Sequence, residues 1–291
     1  MLTKPHTLHL SYIHTPPRFL YGYTTSFNYK KNPITHILGE IVNHILRIYD
    51  FTVSQRPDIL MANSKNVQSR IKKFYRRDSV IIYPPVDLKE FQDVIPAKAG
   101  IYTNGSRIKS GMTDKDYFLS LNRLVRGKGT EITVEACTRL NLPLKVVGMG
   151  PELPRLKSLA GKSVEFMGNV DDEERVKLYA GAKALIVASE DEDFGITPVE
   201  AQAAGTPVIA LKAGGFLETV VSGKTGEFFP LARSARSGQV MTMVESLMKV
   251  LENWNSEKYD SEVCRKQAEK FSEERFKKEL LELIEKNLKV D

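Results

Sequence analysis

Two glutamates, Glu192 and Glu200, are separated by seven residues in one short stretch, residues 189–210. The pattern predicts that a buried strand at 185–187 leads into a loop carrying Glu192, and that a helix from Pro198 carries Glu200 in its first turn. Two carboxylates at such a junction can accept hydrogen bonds from hydroxyl groups, and the helix dipole favours a phosphate beside them. The stretch therefore predicts a site for a polyhydroxylated, phosphorylated ligand.

The start of that helix adds backbone donors to the site. Thr197 is the predicted N-cap, and Gly205 marks the predicted end. The N–H groups of Phe194, Gly195 and Ile196 would then be able to meet a phosphate or a developing anion. A simpler explanation exists for either glutamate alone, because acidic residues in a first helical turn offset the helix dipole without any function.

Two further loops carry residues suited to a diphosphate. Arg123 and Lys128 follow a predicted strand at 117–121, and two fixed cations there can stabilise a diphosphate leaving group. Gly148 and Gly150 follow the next predicted strand, where absent side chains would let a ligand come close to the backbone. Each loop alone has an ordinary explanation, since the cations can be surface charge and the glycines can form a turn.

Alternating strand and helix signals position these loops. The predicted strands are 117–121, 144–147, 164–167, 184–187 and 207–210, and the predicted helices are 129–140, 152–160, 172–179 and those starting at 198 and 216. Such alternation predicts a doubly wound parallel sheet. Ligands of such sheets bind beyond the carboxyl ends of the strands, which is where all three loops fall.

The first third of the chain predicts a smaller α/β unit. Its predicted strands are 7–13, 59–63 and 79–83, its first helix carries an apolar stripe over 37–48, and its second starts after Ser64 as N-cap. The glycine-rich, weakly periodic stretch that follows is typical of an inserted linker. The predicted organisation is a partial N-terminal unit at 1–92, a linker at 93–114, a ligand-binding unit at 115–255 and closing helices at 256–291.

Composition excludes several classes of protein. The chain has 291 residues, of which 42% are hydrophobic and 27% charged, which suits two globular α/β units. It has no apolar run of about 18 residues and no signal-peptide pattern, so we predict a cytoplasmic protein. Cys137 and Cys264 are far apart, which favours thiols over a disulfide. The histidines lack companions at metal-ligand spacing, so we expect no metal and no other cofactor.

The net charge of +6 is unevenly placed. Residues 65–77 contain six basic residues and no acidic one, with Val67, Ile71 and Phe74 at helical spacing. Such a helix can lie on an anionic membrane, a nucleic-acid surface is the competing use, and a solvated helix face is the simple explanation. Because no nucleic-acid module accompanies it, we predict membrane contact and no nucleic-acid partner.

The three loops together resemble a known family. Residues 121–128 resemble the R-x4-K diphosphate clamp, 147–153 the G-x-G-P loop and 189–210 the E-x7-E signature of the retaining GT-B glycosyltransferases of family 4, or group 1. The order of the motifs matches as well as their type, over about 115–230 and the closing helices. The resemblance implies an α/β fold of GT-B type, in which a complete C-terminal Rossmann-like domain follows an incomplete N-terminal domain.

The resemblance also implies a role for each candidate residue. The implied donor-site residues are Arg123 and Lys128 for the diphosphate, Gly148 and Gly150 in the adjacent loop, Glu192 with the backbone of Phe194, Gly195 and Ile196 for the sugar, and Glu200 for the ribose. The implied reaction moves a hexose from a nucleotide-diphosphate sugar to a glycan or lipid-linked acceptor with retention of configuration. It implies no metal, because the cations and the helix end can stabilise the charge.

A further resemblance concerns residues 10–18. They are similar to a strand end in bacterial surface-polysaccharide mannosyltransferases, where a histidine reaches the donor sugar. His14 is the corresponding candidate catalytic residue, together with Glu192. Mannose carried on a guanine nucleotide is the donor that this segment suggests. A histidine at a strand end can also cap local backbone without a catalytic role.

Family members have several strands and helices before this histidine strand, whereas the present chain starts almost at it. We therefore expect a truncated acceptor-side domain that is either unstable alone or covered by another chain, for example a partner chain supplying the missing strands. Two alternatives to an active transferase follow. One is a catalytically impaired nucleotide-sugar-binding protein or half of a split enzyme, and the other, ranked lower, is a GT-B epimerase. The expected location is cytoplasmic and peripheral, on the inner face of the cell membrane.

Overall fold

The computed structural model describes residues 4, 6–23, 33–91, 116–231 and 241–288. The predicted linker at 93–114 lies outside the described residues. The described strands form two separate parallel sheets, one in residues 6–91, the small-sheet region, and one in residues 116–288, the large-sheet region. The prediction of an α/β fold with parallel sheets is confirmed.

The small sheet has the strand order β1-β2-β3, and both pairs are parallel. Its elements are β1 (Leu10–Ile13), α1 (Pro33–Ser54), β2 (Ile59–Ala62), α2 (Lys65–Tyr75) and β3 (Val80–Ile81). A 3-10 turn at Lys89–Phe91 follows. The three predicted strands are present with narrower bounds, because parallel pairing extends only over the residues that both neighbours share.

Helix α2 packs its apolar stripe against the small sheet. Ser64 is the N-cap, as predicted, and its hydroxyl accepts a hydrogen bond from the N–H of Val67. Val67, Ile71 and Tyr75 are buried and form a core cluster with the strand β2. The apolar residues of the basic helix are therefore used inside the protein, and it is the cationic side of the helix that reaches the surface.

Helix α1, unlike α2, turns its polar side towards the protein and its apolar side outward. Asn43 and Ser54 are buried, with only 6% and 8% of their surface exposed. Ile41, Ile45 and Tyr49 on the other side are 56%, 61% and 65% exposed. A helix normally turns its apolar side towards the core. The apolar stripe predicted for this helix is present, but it faces outward, and we define Ile37, Leu38, Ile41, Val42, Ile45 and Tyr49 as the α1 ridge.

The large sheet has the strand order β6-β5-β4-β7-β8-β9, and all pairs are parallel. Its strands are β4 (Tyr117–Leu121), β5 (Leu144–Val147), β6 (Val164–Gly168), β7 (Ala182–Val187), β8 (Val208–Leu211) and β9 (Gly226–Phe229). Its helices are α3 (Thr130–Arg139), α4 (Leu153–Leu159), α5 (Asp172–Ala180), α6 (Ile196–Ala203), α7 (Phe216–Thr219), α8 (Met243–Glu252), α9 (Ser261–Ala268) and α10 (Glu273–Leu288). The predicted strands agree within two residues, whereas the sequence patterns did not indicate β9 and α8.

The central strands of the large sheet are covered on both faces. Leu119, Leu185, Ile186 and Ile209 have no exposed surface. Parallel sheets are typically covered in this way because each crossover helix lies over one face. The strand ends that carry the loops are therefore held by a continuous core.

The closing helix α10 returns to the small sheet. The N–H of Val86 donates to the carbonyl of Phe271 at 2.9 Å, and Val86 and Ser272 form a parallel bridge. The rings of Tyr12 and Phe276 meet edge to face with centroids 5.9 Å apart. These contacts join the end of the chain to the small-sheet region.

In the described ranges, no helix combines the length and the apolarity that crossing a bilayer requires. Cys137 and Cys264 are both buried and are not joined in a disulfide.

Candidate active site

The strand order of the large sheet creates a crevice between β4 and β7. In chain order this is the 3-2-1-4-5-6 arrangement, in which the direction of winding reverses between the first and the fourth strand. The loops after two such strands diverge, and ligands bind in the gap between them. The loop after β4 carries Arg123 and Lys128, and the loop after β7 carries Glu192. The predicted site residues therefore flank the crevice.

Lys128 and Glu192 meet across this crevice. The Nζ of Lys128 lies 2.8 Å from Oε2 of Glu192, and both side chains are about one quarter to one fifth exposed, at 25% and 20%. A second contact joins the same loops, since the Ser189 hydroxyl donates to the carbonyl of Gly127 at 3.0 Å. Arg123 is exposed on the β4 loop. The structure thus brings a predicted cation and a predicted carboxylate together at the strand ends.

Gly148 and Gly150 lie where two loops of the site approach each other closely. A Cβ on Gly148 would lie 2.0 Å from the carbonyl oxygen of Asn122, and one on Gly150 would lie 2.2 Å from that of Leu124. The space next to these glycines is filled by the backbone of the β4 loop. Their missing side chains therefore let two loops of the site pack closely against each other. That a ligand also comes close to the backbone of these glycines stays a prediction.

The helix behind the signature begins earlier than predicted. It starts at Ile196, with Gly195 as N-cap at φ 94°, so the prediction of Thr197 as N-cap is wrong. A positive φ at this position favours glycine, and Thr197 is already inside the helix. Phe194 is buried beside Phe271, with ring centroids 5.2 Å apart, while the side chain of Ile196 is exposed.

Glu200 is held by two side chains that the sequence analysis did not identify. Arg175 Nη1 lies 2.7 Å from Oε1 of Glu200, and the hydroxyl of Tyr179 donates to Oε2 at 2.8 Å. Arg175 also pairs with Glu90 at 2.7 Å. Arg175 and Tyr179 are four residues apart on α5, so they share one helix face, and that spacing was the signal available in the sequence.

The protonation of these partners follows from burial and charge. Burial lowers the pKa of Arg175, but the carboxylates of Glu200 and Glu90 outweigh it and raise the pKa above its ordinary value. Burial, followed by the charge of Glu200, raises the pKa of Tyr179. Both side chains therefore stay protonated at neutral pH and donate hydrogen bonds to Glu200.

His14 lies just beyond the carboxyl end of β1. Its side chain is exposed, and its ring meets the ring of Tyr12 edge to face at 5.1 Å. The same segment approaches the large-sheet region, since Arg18 Nη2 donates to the carbonyl of Asp191 at 2.6 Å. The structure thus places His14 on a segment that contacts the loop after β7.

The described part of the chain contains no cluster of three or more histidine, cysteine, aspartate or glutamate side chains arranged to hold a metal ion.

Comparison with protein families gives one match over most of the large-sheet region. Residues 105–271, more than half of the chain, match the family model described as "Glycosyl transferases group 1".

Curated relatives cover a similar part of the chain. The D-inositol 3-phosphate glycosyltransferase of Corynebacterium urealyticum is 27% identical over 200 residues, which are 62% of this chain and 46% of that protein. The alpha-1,3/1,6-mannosyltransferase ALG2 of Dictyostelium discoideum is 28% identical over 205 residues, 58% of this chain and 48% of that protein. The chain spans about half the length of the curated relatives it matches.

Solved structures resemble nearly the whole chain. A sucrose-phosphate synthase from Thermosynechococcus elongatus has a TM-score of 0.67 at 20% identity, covering 97% of this chain and 68% of that one. Anabaena HepE, in complex with UDP and glucose, has a TM-score of 0.68 at 18% identity, covering 95% and 71%. The likeness confirms the predicted GT-B fold.

Proposed function

Because the chain belongs to the glycosyl transferases group 1 family, we propose that it transfers a hexose from a nucleotide-diphosphate sugar to a glycan or lipid-linked acceptor, with retention of configuration. The observation that carries the proposal is the contact of Lys128 with Glu192 across the crevice between β4 and β7. This contact supports the proposal because a cation suited to phosphate lies next to a carboxylate suited to sugar hydroxyls, and doubly wound sheets bind nucleotides at this crevice.

Each side of the crevice has a role in this proposal. Arg123 and Lys128 neutralise the charge that develops on the leaving nucleoside diphosphate as the glycosidic bond breaks. Glu200, oriented by Arg175 and Tyr179, accepts hydrogen bonds from the ribose. Glu192 accepts them from the sugar, and His14 approaches from the small-sheet region. The two cations supply the charge stabilisation, so the proposal requires no metal.

Mannose is the sugar that the similarity to a mannosyltransferase favours. The Dictyostelium relative is a mannosyltransferase, whereas the HepE structure contains UDP and glucose. We therefore propose GDP-mannose as the first donor to test and UDP-glucose as the second.

Titration calorimetry with these donors tests the proposal. Arg123→Ala and Glu200→Ala should each weaken donor binding roughly 10- to 100-fold, because each removes a charged hydrogen-bond partner. Arg126→Ala is the matched control, since Arg126 lies in the same loop but pairs outward with Glu152 at 3.3 Å. Unchanged affinity in both site variants contradicts the assignment. Donor hydrolysis or transfer by the wild type separates an enzyme from a protein that only binds the donor.

The membrane contact proposed for residues 65–77 depends on charge alone, because Val67 and Ile71 are buried. Lys72 and Lys73 on α2 and Arg76 at its C-cap are exposed and can meet anionic lipid. Each is expected to contribute about 1 kcal/mol at an anionic surface. When all three residues are replaced by alanine, the protein should no longer float with phosphatidylserine vesicles. Replacing the exposed Lys157 and Lys162 of the large-sheet region by alanine should leave flotation unchanged. Equal flotation of both variants contradicts this contact.

The α1 ridge is the surface that we propose a partner polypeptide covers. Contiguous apolar patches of this kind usually mark contacts with another chain. Ile41→Asp with Ile45→Asp should abolish self-association or binding of a hydrophobic dye without lowering the melting temperature, because both side chains are exposed. A wild type that stays monomeric at high concentration and binds no dye contradicts the proposal.

A further inference from the structure

The β7 loop, residues 188–195, is joined to the small-sheet region through the partly buried side chain of Asp193. Arg70 Nη1 lies 2.5 Å from Oδ1 of Asp193, and Arg18 Nη2 lies 2.6 Å from Oδ2. Arg18 follows β1 and Arg70 is on α2, so two separate elements each bind one oxygen of the same carboxylate. Charged hydrogen bonds of this geometry fix both position and orientation.

The backbone of the loop is bonded from the same side. The hydroxyl of Ser64 donates to the carbonyl of Asp193 at 2.6 Å, and Asn66 Nδ2 donates to the carbonyl of Glu192 at 2.9 Å. Both donors lie at the start of α2. Together with the bond from Arg18 to the carbonyl of Asp191, side chains of the small-sheet region therefore bind three consecutive residues of the loop, with Glu192 in the middle.

A carboxylate of the large-sheet region, that of Glu218, binds the start of α2 in the small-sheet region. Both oxygens of Glu218 accept hydrogen bonds from α2, from the N–H of Lys65 at 2.8 Å and the N–H of Asn66 at 3.1 Å. The hydroxyl of Tyr83 donates to Glu218 at 3.0 Å. The start of α2 is thereby held against the large-sheet region on two sides, so its position relative to the β7 loop is constrained.

From this geometry we infer that Arg18 and Arg70 are positioning residues for Glu192. They act through Asp193, and their effect is to hold the sugar-side carboxylate against Lys128. The predicted effect on donor binding rests on the proposed function. The predicted effect on how well the β7 loop is ordered does not. Arg70 suits the task because its side chain is only 6% exposed, so it cannot exchange Asp193 for water.

The same cations could also serve only to hold the two regions together. A purely structural role predicts equal weakening of every ligand of the crevice. A positioning role predicts a selective effect, because Glu192 is assigned to the sugar while Arg123, Lys128 and Glu200 are assigned to the nucleotide. The two roles therefore differ in the ratio of nucleotide-sugar affinity to free-nucleotide affinity.

Arg70→Lys and Asp193→Asn test the inference in the full chain. Lysine keeps the charge but cannot reproduce the planar fork of the guanidinium. We expect the Kd for GDP-mannose or UDP-glucose to rise about tenfold or more in either variant, while the Kd for GDP or UDP changes less than twofold. The double variant should be no weaker than the worse single one, because both remove the same contact.

Arg77→Lys is the matched control. Arg77 also donates to backbone carbonyls, those of Ser54, Pro57 and Asp58, but all three lie within the small-sheet region. It should lower the melting temperature as much as Arg70→Lys does without changing the ratio of the two affinities. An equal change of that ratio in Arg77→Lys, or none in Arg70→Lys, overturns the positioning role.

Hydrogen exchange separates failure of this inference from failure of the proposed function. Backbone amides of residues 188–196 should exchange faster in Arg70→Lys and Asp193→Asn than in the wild type or Arg77→Lys, with or without a nucleotide. If the wild type binds no nucleotide sugar, the proposed function fails, and the exchange rates still decide the positioning role. Unchanged exchange at 188–196 in both variants overturns it.

Discussion

The two sheet regions differ in how completely they cover their own apolar surface. In the large-sheet region Leu185 and Ile209 have no exposed surface, since helices lie over both faces of the central strands. In the small-sheet region α1 buries Asn43 and exposes Ile41 and Tyr49. The large-sheet region therefore builds the crevice from its own core. The small-sheet region supplies contacts to one loop of the crevice and retains a surface suited to another polypeptide.

Truncation of one apolar side chain in each region gives the largest expected contrast. Leu185→Ala should lower the free energy of unfolding by about 2–5 kcal/mol, because it leaves a cavity under the crevice. Ile41→Ala in the α1 ridge should change it by less than about 0.5 kcal/mol, because that side chain is 56% exposed. Urea unfolding measures both. Similar losses would show that the ridge is buried in solution.

A second contrast compares two glycines with positive φ. Gly148 has φ 123° and its Cβ would meet Asn122, whereas Gly223 has φ 74° and nothing within 4 Å. Gly223→Ala should cost about 1–2 kcal/mol of backbone strain. Gly148→Ala should cost about 1–3 kcal/mol more, because the β4 loop must move. It should also weaken donor binding, since Arg123 is on that loop, and equal effects of the two substitutions contradict the loop packing.

A smaller effect is expected where the two regions meet at Arg175. Arg175→Gln should weaken nucleotide binding about tenfold, because Glu200 loses its charged partner. Glu90→Gln should change it less than about twofold, since the Arg175–Glu200 pair remains. Calorimetry with GDP and UDP measures both. Arg175→Lys should recover part of the affinity if charge is what Glu200 needs, and equal losses in Arg175→Gln and Glu90→Gln argue against that role.

The smallest expected effect at neutral pH comes from the thiol of Cys137 in the large core, which changes stability only above about pH 9. Burial raises the pKa of the Cys137 thiol from 9.0 to about 12. The unfolded chain therefore loses this proton before the folded one does, and stability present below pH 9 is lost as the pH rises towards 12. The slope is at most about 1.4 kcal/mol per pH unit. Cys137→Ala should reduce the slope of unfolding free energy above pH 9, and an unchanged slope contradicts burial of the thiol.

Much of the large sheet was predictable because local signals agree there. The strand β4 was predicted with its observed bounds, and β5 likewise, since short apolar runs between turn residues are typical of buried strands. The strand β9 was missed because it has only four residues and begins at Gly226, and glycine is depleted in strands. The start of α6 was misplaced because the Thr197-Pro198 signal outweighed the less specific Gly195.

The orientation of α1 was not predictable from its stripe. Periodicity identifies an apolar face but not the direction in which that face points. Here the polar side makes the contacts with the rest of the region, including Arg47 with the carbonyl of Leu20 at 3.0 Å and Tyr21 with Asp50 at 2.8 Å. Only the packed structure shows that the stripe faces outward.

The sequence by itself determined the α/β class, the parallel strands that carry the crevice loops, and the motifs that resemble a glycosyltransferase family. These properties depend on residues within a few positions of one another. Tertiary structure alone decided which partners hold the carboxylates. Glu200 and Arg175 are 25 residues apart, and Asp193 lies 123 and 175 residues from Arg70 and Arg18. No local spacing can encode such pairs, because they form only when segments distant in the sequence pack together in the folded chain.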